Sequence, residues 1–236
     1  MNRPIIILPS ILCANHGILA EETKKITQAG ADYIHIDVMD GSFVPNFGCG
    51  TEIIKCVKKH SPLPLDVHLM IQDPARHIRL FRDLGADIIS IHPEADVEHT
   101  KKSGCDSQCP PLQYEYTANA LAEIRALGAI PGIAINPSTT VEAIKDLLPL
   151  CGHVLAMTVN PGYGGQAFMP ETLDKIETLG ALSHQYGFTL CVDGGINKNN
   201  IKKLALRGVT SFVVGSALFA QDDYAVGIKQ LKESIY

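Results

Sequence analysis

No stretch of this 236-residue chain comes near the roughly 20 consecutive apolar residues that a membrane-crossing helix needs. Positive charge is also short. Twenty Lys and Arg face 25 Asp and Glu, a net charge of −5, so no basic surface points to nucleic acid. The marks of a secretory leader are missing. Met1-Asn2-Arg3-Pro4 runs into an apolar stretch at Ile5 with no long apolar core and no small-residue cleavage site. Seven cysteines, an odd count without such a leader, read as reduced thiols rather than a disulfide framework. The expectation is a cytoplasmic protein with no nucleic-acid and no membrane partner. Hydrophobic residues at 46% and charged residues at 19% make an ordinary globular mixture, long enough to bury a substantial core.

Short β-rich runs alternate with amphipathic stretches. The strand-like runs are residues 5–8, 33–38, 65–69, 88–91, 133–135, 154–159, 189–192 and 211–214. Apolar spacing of three and four predicts helices over 19–29, 52–59, 75–84, 118–127, 141–148, 171–186, 200–206 and 224–234. Gly30, Gly85, Gly128, Gly187 and Gly208 each follow a helix-like run, where a helix C-terminus favours glycine. Strict alternation implies a parallel sheet with right-handed crossovers, either open or closed. An open sheet gathers its ligand at one switch point. Here polar residues end strands one, two, three, six, seven and eight, and a closed (β/α)8 TIM barrel of one domain explains that distribution. One segment, about 94–116, breaks the rhythm between strand four and its helix. Its length suggests a lid, an interface or a solvated insertion. A second metal site at His99, Cys105 and Cys109 is the weaker reading of the same segment.

Two aspartates far apart in sequence end apolar runs: Asp37 in Tyr33-Ile34-His35-Ile36-Asp37-Val38-Met39, and Asp193 in Leu190-Cys191-Val192-Asp193. Side chains two apart on a strand share a face, so His35 and Asp37 point the same way. Val67-His68-Leu69-Met70 repeats the design with an imidazole. A lone buried histidine is most simply a satisfied core residue. Four polar residues breaking apolar strand ends favour instead one divalent metal on His35, Asp37, His68 and Asp193. Zn²⁺ suits that set foremost, with Fe²⁺, Mn²⁺ or Co²⁺ as alternatives. His92 could reach the same mouth in a supporting role. Met39, Met70 and Met157, three of the chain's five methionines, would give it an apolar, polarizable lining.

Three glycine-rich stretches follow strands six, seven and eight: Asn160-Pro161-Gly162-Tyr163-Gly164-Gly165-Gln166, Asp193-Gly194-Gly195-Ile196-Asn197 and Val214-Gly215-Ser216-Ala217. Barrel enzymes often hold phosphate with loops after strands seven and eight, through convergent backbone N–H groups. None of the three holds a lysine or arginine, so backbone dipoles would act without a formal positive charge. The expected ligand is a phosphorylated small molecule.

These residues together closely resemble the ribulose-phosphate 3-epimerase family over nearly the whole chain. The likeness is carried by Pro9-Ser10-Ile11-Leu12, His35-Ile36-Asp37-Val38-Met39-Asp40-Gly41, Phe43-Val44-Pro45-Asn46, Asp66-Val67-His68-Leu69-Met70, the strand-six and strand-seven stretches above, and Gly215-Ser216. It implies a (β/α)8 barrel interconverting D-ribulose 5-phosphate and D-xylulose 5-phosphate with one divalent metal, as a homo-oligomer. It implies that His35, Asp37, His68 and Asp193 bind the metal and that Asp37 and Asp193 are the acid–base pair. Ser10, His68, Gly162, Tyr163, Gly164, Gly165, Asp193, Gly194, Gly195, Gly215 and Ser216 would contact the phosphorylated ketopentose. The chain departs from the pattern at Ser42, at Cys13 where serine is usual, and at Cys191 where glutamate is usual; none of these removes a ligand. A 3-epimerase of another ketose phosphate, such as allulose 6-phosphate, would share the metal and the aspartates. A barrel lyase or decarboxylase would ordinarily carry a strand-end lysine, and none is found. A degenerate barrel used only for binding would have no need of all four ligands.

Overall fold

The computed structural model describes residues 4–95 and 114–236. Most of the 94–116 segment, with His99, Cys105 and Cys109, lies outside the described residues. Eight strands alternate with helical segments: β1 (Ile6–Pro9), β2 (Ile34–Met39), β3 (Leu65–Met70), β4 (Ala86–Ile91), β5 (Ile130–Ile135), β6 (His153–Met157), β7 (Thr189–Asp193) and β8 (Ser211–Val214). Each pairs in parallel with its sequence neighbour from β2 through to β8, and β8 pairs with β1. The β1–β2 seam is drawn together at its C-terminal end, where Ser10 bridges to His35 in parallel. Lower down, the Asp32 N–H donates to the Ile7 carbonyl at 3.1 Å. The sheet is therefore a nearly closed barrel, and its last seam brings Ser10 beside His35.

Strands buried on both faces read as continuous apolar runs, and every residue of β2 and β3 is buried. One core lies between sheet and helices; it includes Ile34, Ile36, Val67, Leu69 and Phe212, all 0% exposed. A smaller cluster of Leu8, Ala134, Leu155, Met157, Cys191 and Val213 fills the barrel interior. Each fully buried Leu, Ile or Phe contributes about 1.5–3 kcal/mol, so the barrel tolerates the polar residues that interrupt its inner face.

The outer layer holds α1 (Leu19–Gln28), α2 (Thr51–His60), α3 (Ile78–Asp83), α4 (Glu115–Ala126), α5 (Leu173–Tyr186), α6 (Ile201–Ala205), a single turn α7 (Ser216–Phe219) and α8 (Tyr224–Glu233). The helix expected over 141–148 is instead a 3₁₀ segment, Glu142–Leu150. Pro149 lies inside it, and in α geometry the proline ring would press on the carbonyl four residues back. The tighter winding still buries Ile144, Leu147 and Leu148. Likewise the helix expected from residue 75 opens as a 3₁₀ turn, Pro74–His77, before α3. The five glycines expected at helix ends all have positive φ. Among the described residues no helix is long and apolar enough to cross a membrane.

Gly180 on α5 packs against the turn after α6 so closely that a Cβ there would stand 1.9 Å from the Arg207 carbonyl oxygen. Backbone cannot yield as a flexible side chain does. Gly180→Ala should therefore cost about 1–3 kcal/mol by overpacking, read as a lowered midpoint in thermal unfolding followed by circular dichroism.

Candidate active site

The β2–β3 register stacks three side-by-side pairs: His35 with Asp66, Asp37 with His68, and Met39 with Met70. Alternation aims all six into the barrel at rising heights toward the C-terminal mouth. Across the barrel, the β6–β7 register sets Met157 beside Asp193 and Leu155 beside Cys191. The four residues expected to hold a metal thus come from three strands to one place. One ligand atom from each of His35, Asp37, His68 and Asp193 lies within 4.8 Å of the others.

Asp37 is the hub. Its Oδ1 lies 3.2 Å from His35 Nε2 and 3.0 Å from His68 Nδ1. Ser10 Oγ donates to its Oδ2 at 2.8 Å. His35 Nδ1 donates to Asp66 Oδ2 at 2.8 Å, and its Nε2 lies 4.0 Å from Asp193 Oδ2. His35, His68 and Asp66 are fully buried, while the Asp193 side chain keeps 17% exposure to the mouth.

This crowding splits the two aspartates. Burial pushes Asp37 toward its neutral acid, but the His35 charge and hydrogen bonds from His35 and His68 prevail and hold it well below the usual carboxylate range. Asp193 goes the other way, raised to about 7 by burial and by the charge of Asp37. Burial opposes the charge on His35, yet Asp37 and Asp66 keep that imidazole protonated well above its ordinary range. His68 is pushed down to about 4, first by burial. In the chain by itself, the His35 proton bridges the carboxylates. The same donor set, two imidazole nitrogens and two carboxylate oxygens converging at one point, is the chemistry that receives a divalent transition metal.

Above these groups the barrel opens to solvent in a mouth. Asp37, Asp193 and Ser10 reach its wall, as do Met39, Met70 and Met157. Gly162, Tyr163, Gly164, Gly165, Gly194, Gly195, Gly215 and Ser216 line it too. His35 and His68 do not; they stand behind the carboxylates. Leu12, Val159, Ile196 and Val213 add apolar wall that single-sequence reading had no cue to select. The Cys13 sulfur sits under the strand-six and strand-eight loops, where a Cβ on Gly164 or Gly215 would meet it at 3.1 or 2.7 Å. The strand-two and strand-six loops are tied together over the mouth. Asn46 Nδ2 donates to the Gly162 carbonyl at 2.6 Å, and the Tyr163 hydroxyl donates to the Pro45 carbonyl at 2.8 Å.

Two supports escaped the sequence reading. Asp66, which orients His35, shares the inward face of His68 by the two-residue alternation, a cue the sequence did contain. His68 Nε2 lies 2.9 Å from His92 Nε2, and His92 Nδ1 lies 3.2 Å from Glu94 Oε2. Glu94 is held down to about 2; burial opposes this, and hydrogen bonds, first that of His92 and then those of Thr139 and Asn136, overcome it.

A nearly closed parallel barrel with carboxylates, imidazoles and glycine loops gathered at its C-terminal mouth has the architecture of the (β/α)8 enzymes. Comparison with known proteins narrows the class. The model of the ribulose-phosphate 3 epimerase family matches residues 6–107 and 111–219. The ribulose-phosphate 3-epimerase of Synechocystis sp. is 40% identical over 99% of this chain and 96% of its own length. That of Bacillus subtilis is 39% identical over 98% of this chain and 99% of its own, and that of Escherichia coli K12 36% identical over 99% and 97%. Among solved structures, the 3-keto-L-gulonate-6-phosphate decarboxylase of Vibrio cholerae superimposes with a TM-score of 0.69 at 17% identity. That match covers 99% of this chain and 98% of the other, and it is a likeness of fold alone. The chain belongs to the ribulose-phosphate 3-epimerase family; it is an enzyme, an epimerase.

Gly194 and Gly195 have φ of 119° and 66°. A Cβ on Gly195 would stand 2.4 Å from the Phe168 backbone nitrogen, so only glycine lets the strand-seven loop lie against the strand-six loop. Gly195→Ala should leave the barrel folded but weaken the binding of inorganic phosphate at least several-fold in calorimetric titration. Unchanged phosphate binding would remove this loop from the anion cradle.

Proposed function

We propose that the protein interconverts D-ribulose 5-phosphate and D-xylulose 5-phosphate by moving the C3 proton between Asp37 and Asp193. The observation that carries this reading is geometric: two aspartates from separate strands, Asp37 and Asp193, reach the wall of one mouth with His35 and His68 beside them. Inverting a carbon beside a ketone means removing a weakly acidic C–H and returning a proton to the opposite face of a planar enediolate. That needs one base and one acid, on two sides. Asp37 on β2 and Asp193 on β7 come from separate strands, and their roles exchange with the direction of reaction. The Ser10 hydroxyl holds Asp37 Oδ2 and fixes the carboxylate plane. A divalent ion held by His35, Asp37, His68 and Asp193, zinc foremost, would supply a Lewis acid against the negative charge that develops on the substrate oxygens. Met39, Met70 and Met157 keep water from the reacting carbon. The loops at Gly162–Gly165, Gly194–Gly195 and Gly215–Ser216 anchor the phosphate by backbone N–H groups; among the described residues lining the mouth there is no lysine or arginine.

Asp37→Asn and Asp193→Asn should each lower turnover of ribulose 5-phosphate by about 10²–10⁴-fold or more, with the circular dichroism spectrum preserved. Near-normal turnover in either variant would reject the two-carboxylate scheme. Chelation should inactivate the enzyme, and Zn²⁺, Fe²⁺, Mn²⁺ or Co²⁺ should restore it. Full activity in metal-free protein would take the ion out of the mechanism. Allulose 6-phosphate, assayed in parallel, should turn over more slowly than ribulose 5-phosphate.

A further inference from the structure

Behind the metal-ligand histidine His68 runs a chain of contacts that neither the reaction nor the cavity wall requires. It passes from Asp37 Oδ1 to His68 Nδ1 at 3.0 Å, from His68 Nε2 to His92 Nε2 at 2.9 Å, and from His92 Nδ1 to Glu94 Oε2 at 3.2 Å. The other Glu94 oxygen accepts from the Asn136 N–H at 2.8 Å and from the Thr139 hydroxyl. His68 and His92 are 0% and 1% exposed, and the His92 ring packs on Phe43 with centroids 4.8 Å apart, so neither ring is free to turn.

An ionised carboxylate only accepts hydrogen bonds, and a neutral imidazole carries one ring proton. Glu94 therefore requires the His92 proton on Nδ1. His92 Nε2 is then an acceptor, so the His68 proton must sit on Nε2. That order leaves a lone pair on His68 Nδ1 for a cation; in the chain by itself Asp37 Oδ1, 3.0 Å away, competes with Glu94 for the opposite order, and a cation held by Asp37 would remove that competition. We infer that Glu94 is a positioning residue that sets the tautomer of His92 and, through it, of His68, and so turns the His68 Nδ1 lone pair toward the cation. On the same two strands, β2 and β3, Asp66 does the same for His35 in one step. The inference rests on the metal reading above, since a ligand tautomer matters only if a ligand is needed.

Glu94→Gln changes one oxygen for an amide nitrogen and little else. The glutamine oxygen keeps the Asn136 and Thr139 bonds, and its NH₂ faces His92 and donates. The order then reverses: His92 carries its proton on Nε2, and His68 on Nδ1, against the cation. Zinc affinity, measured by competition with a chromophoric chelator, should fall about 10–100-fold while the thermal midpoint stays near wild type. Two-bond ¹H–¹⁵N correlation spectra of the zinc-loaded wild type should show His92 protonated at Nδ1 and His68 at Nε2, a signature that a purely structural role for Glu94 would not require. Equal zinc affinity in wild type and Glu94→Gln would overturn this inference alone. A wild type that takes up no zinc would overturn the metal reading and this inference with it. Should the variant fail to fold, the wild-type spectrum decides, and His92 protonated at Nε2 contradicts the assignment.

Discussion

The site depends on keeping negative charge buried at Asp37. Removing a carboxylate from water costs several kcal/mol even after relaxation, and the carboxylates of Asp66 and Asp193 stand close by. The chain meets that cost with His35, set between Asp37 and Asp66 at 3.2 and 2.8 Å. It adds His68 at 3.0 Å and the Ser10 hydroxyl at 2.8 Å. What is left uncompensated falls on Asp193, which is driven toward its acid form by burial and by the charge of Asp37. A cation at the same point would take over the bridging role of the His35 proton.

The barrel supplies the geometry this imbalance needs. In-register β2–β3 pairing sets His35 beside Asp66 and Asp37 beside His68, and the Ser10–His35 bridge closes the last seam at the same height. Asp193 arrives from β7, across the barrel, and so reaches the mouth from a different direction. Because these residues sit on strands rather than loops, their positions are fixed by ladder hydrogen bonds and by packing on both faces. The loops are the more adaptable part of the mouth, and those after β2 and β6 are tied together by Asn46 and Tyr163.

Much of this was legible in the sequence, because parallel strands buried on both faces leave unbroken apolar runs in which a polar residue stands out. Asp37, His68 and Asp193 are such breaks, and the two-residue period of a strand carries His35 with Asp37. Where reading failed, a shorter-range constraint prevailed. Pro149 turned an amphipathic helix into a 3₁₀ segment although its apolar spacing was intact. The run read as 154–159 ends as a strand at Met157, its tail entering the loop toward the glycines. The single turn α7 is too short to show a period. Asp66 and Glu94 escaped because their roles depend on register and on which ring nitrogen faces which oxygen, and composition does not encode either.

Proton movement at C3 between two carboxylates is the central claim, and solvent isotope reports on it directly. D-Ribulose 5-phosphate incubated with the enzyme in D₂O should yield D-xylulose 5-phosphate carrying deuterium at C3, seen by loss of the C3 proton resonance. Xylulose 5-phosphate formed with protium retained at C3, at every extent of reaction, would contradict removal by one carboxylate and return by the other.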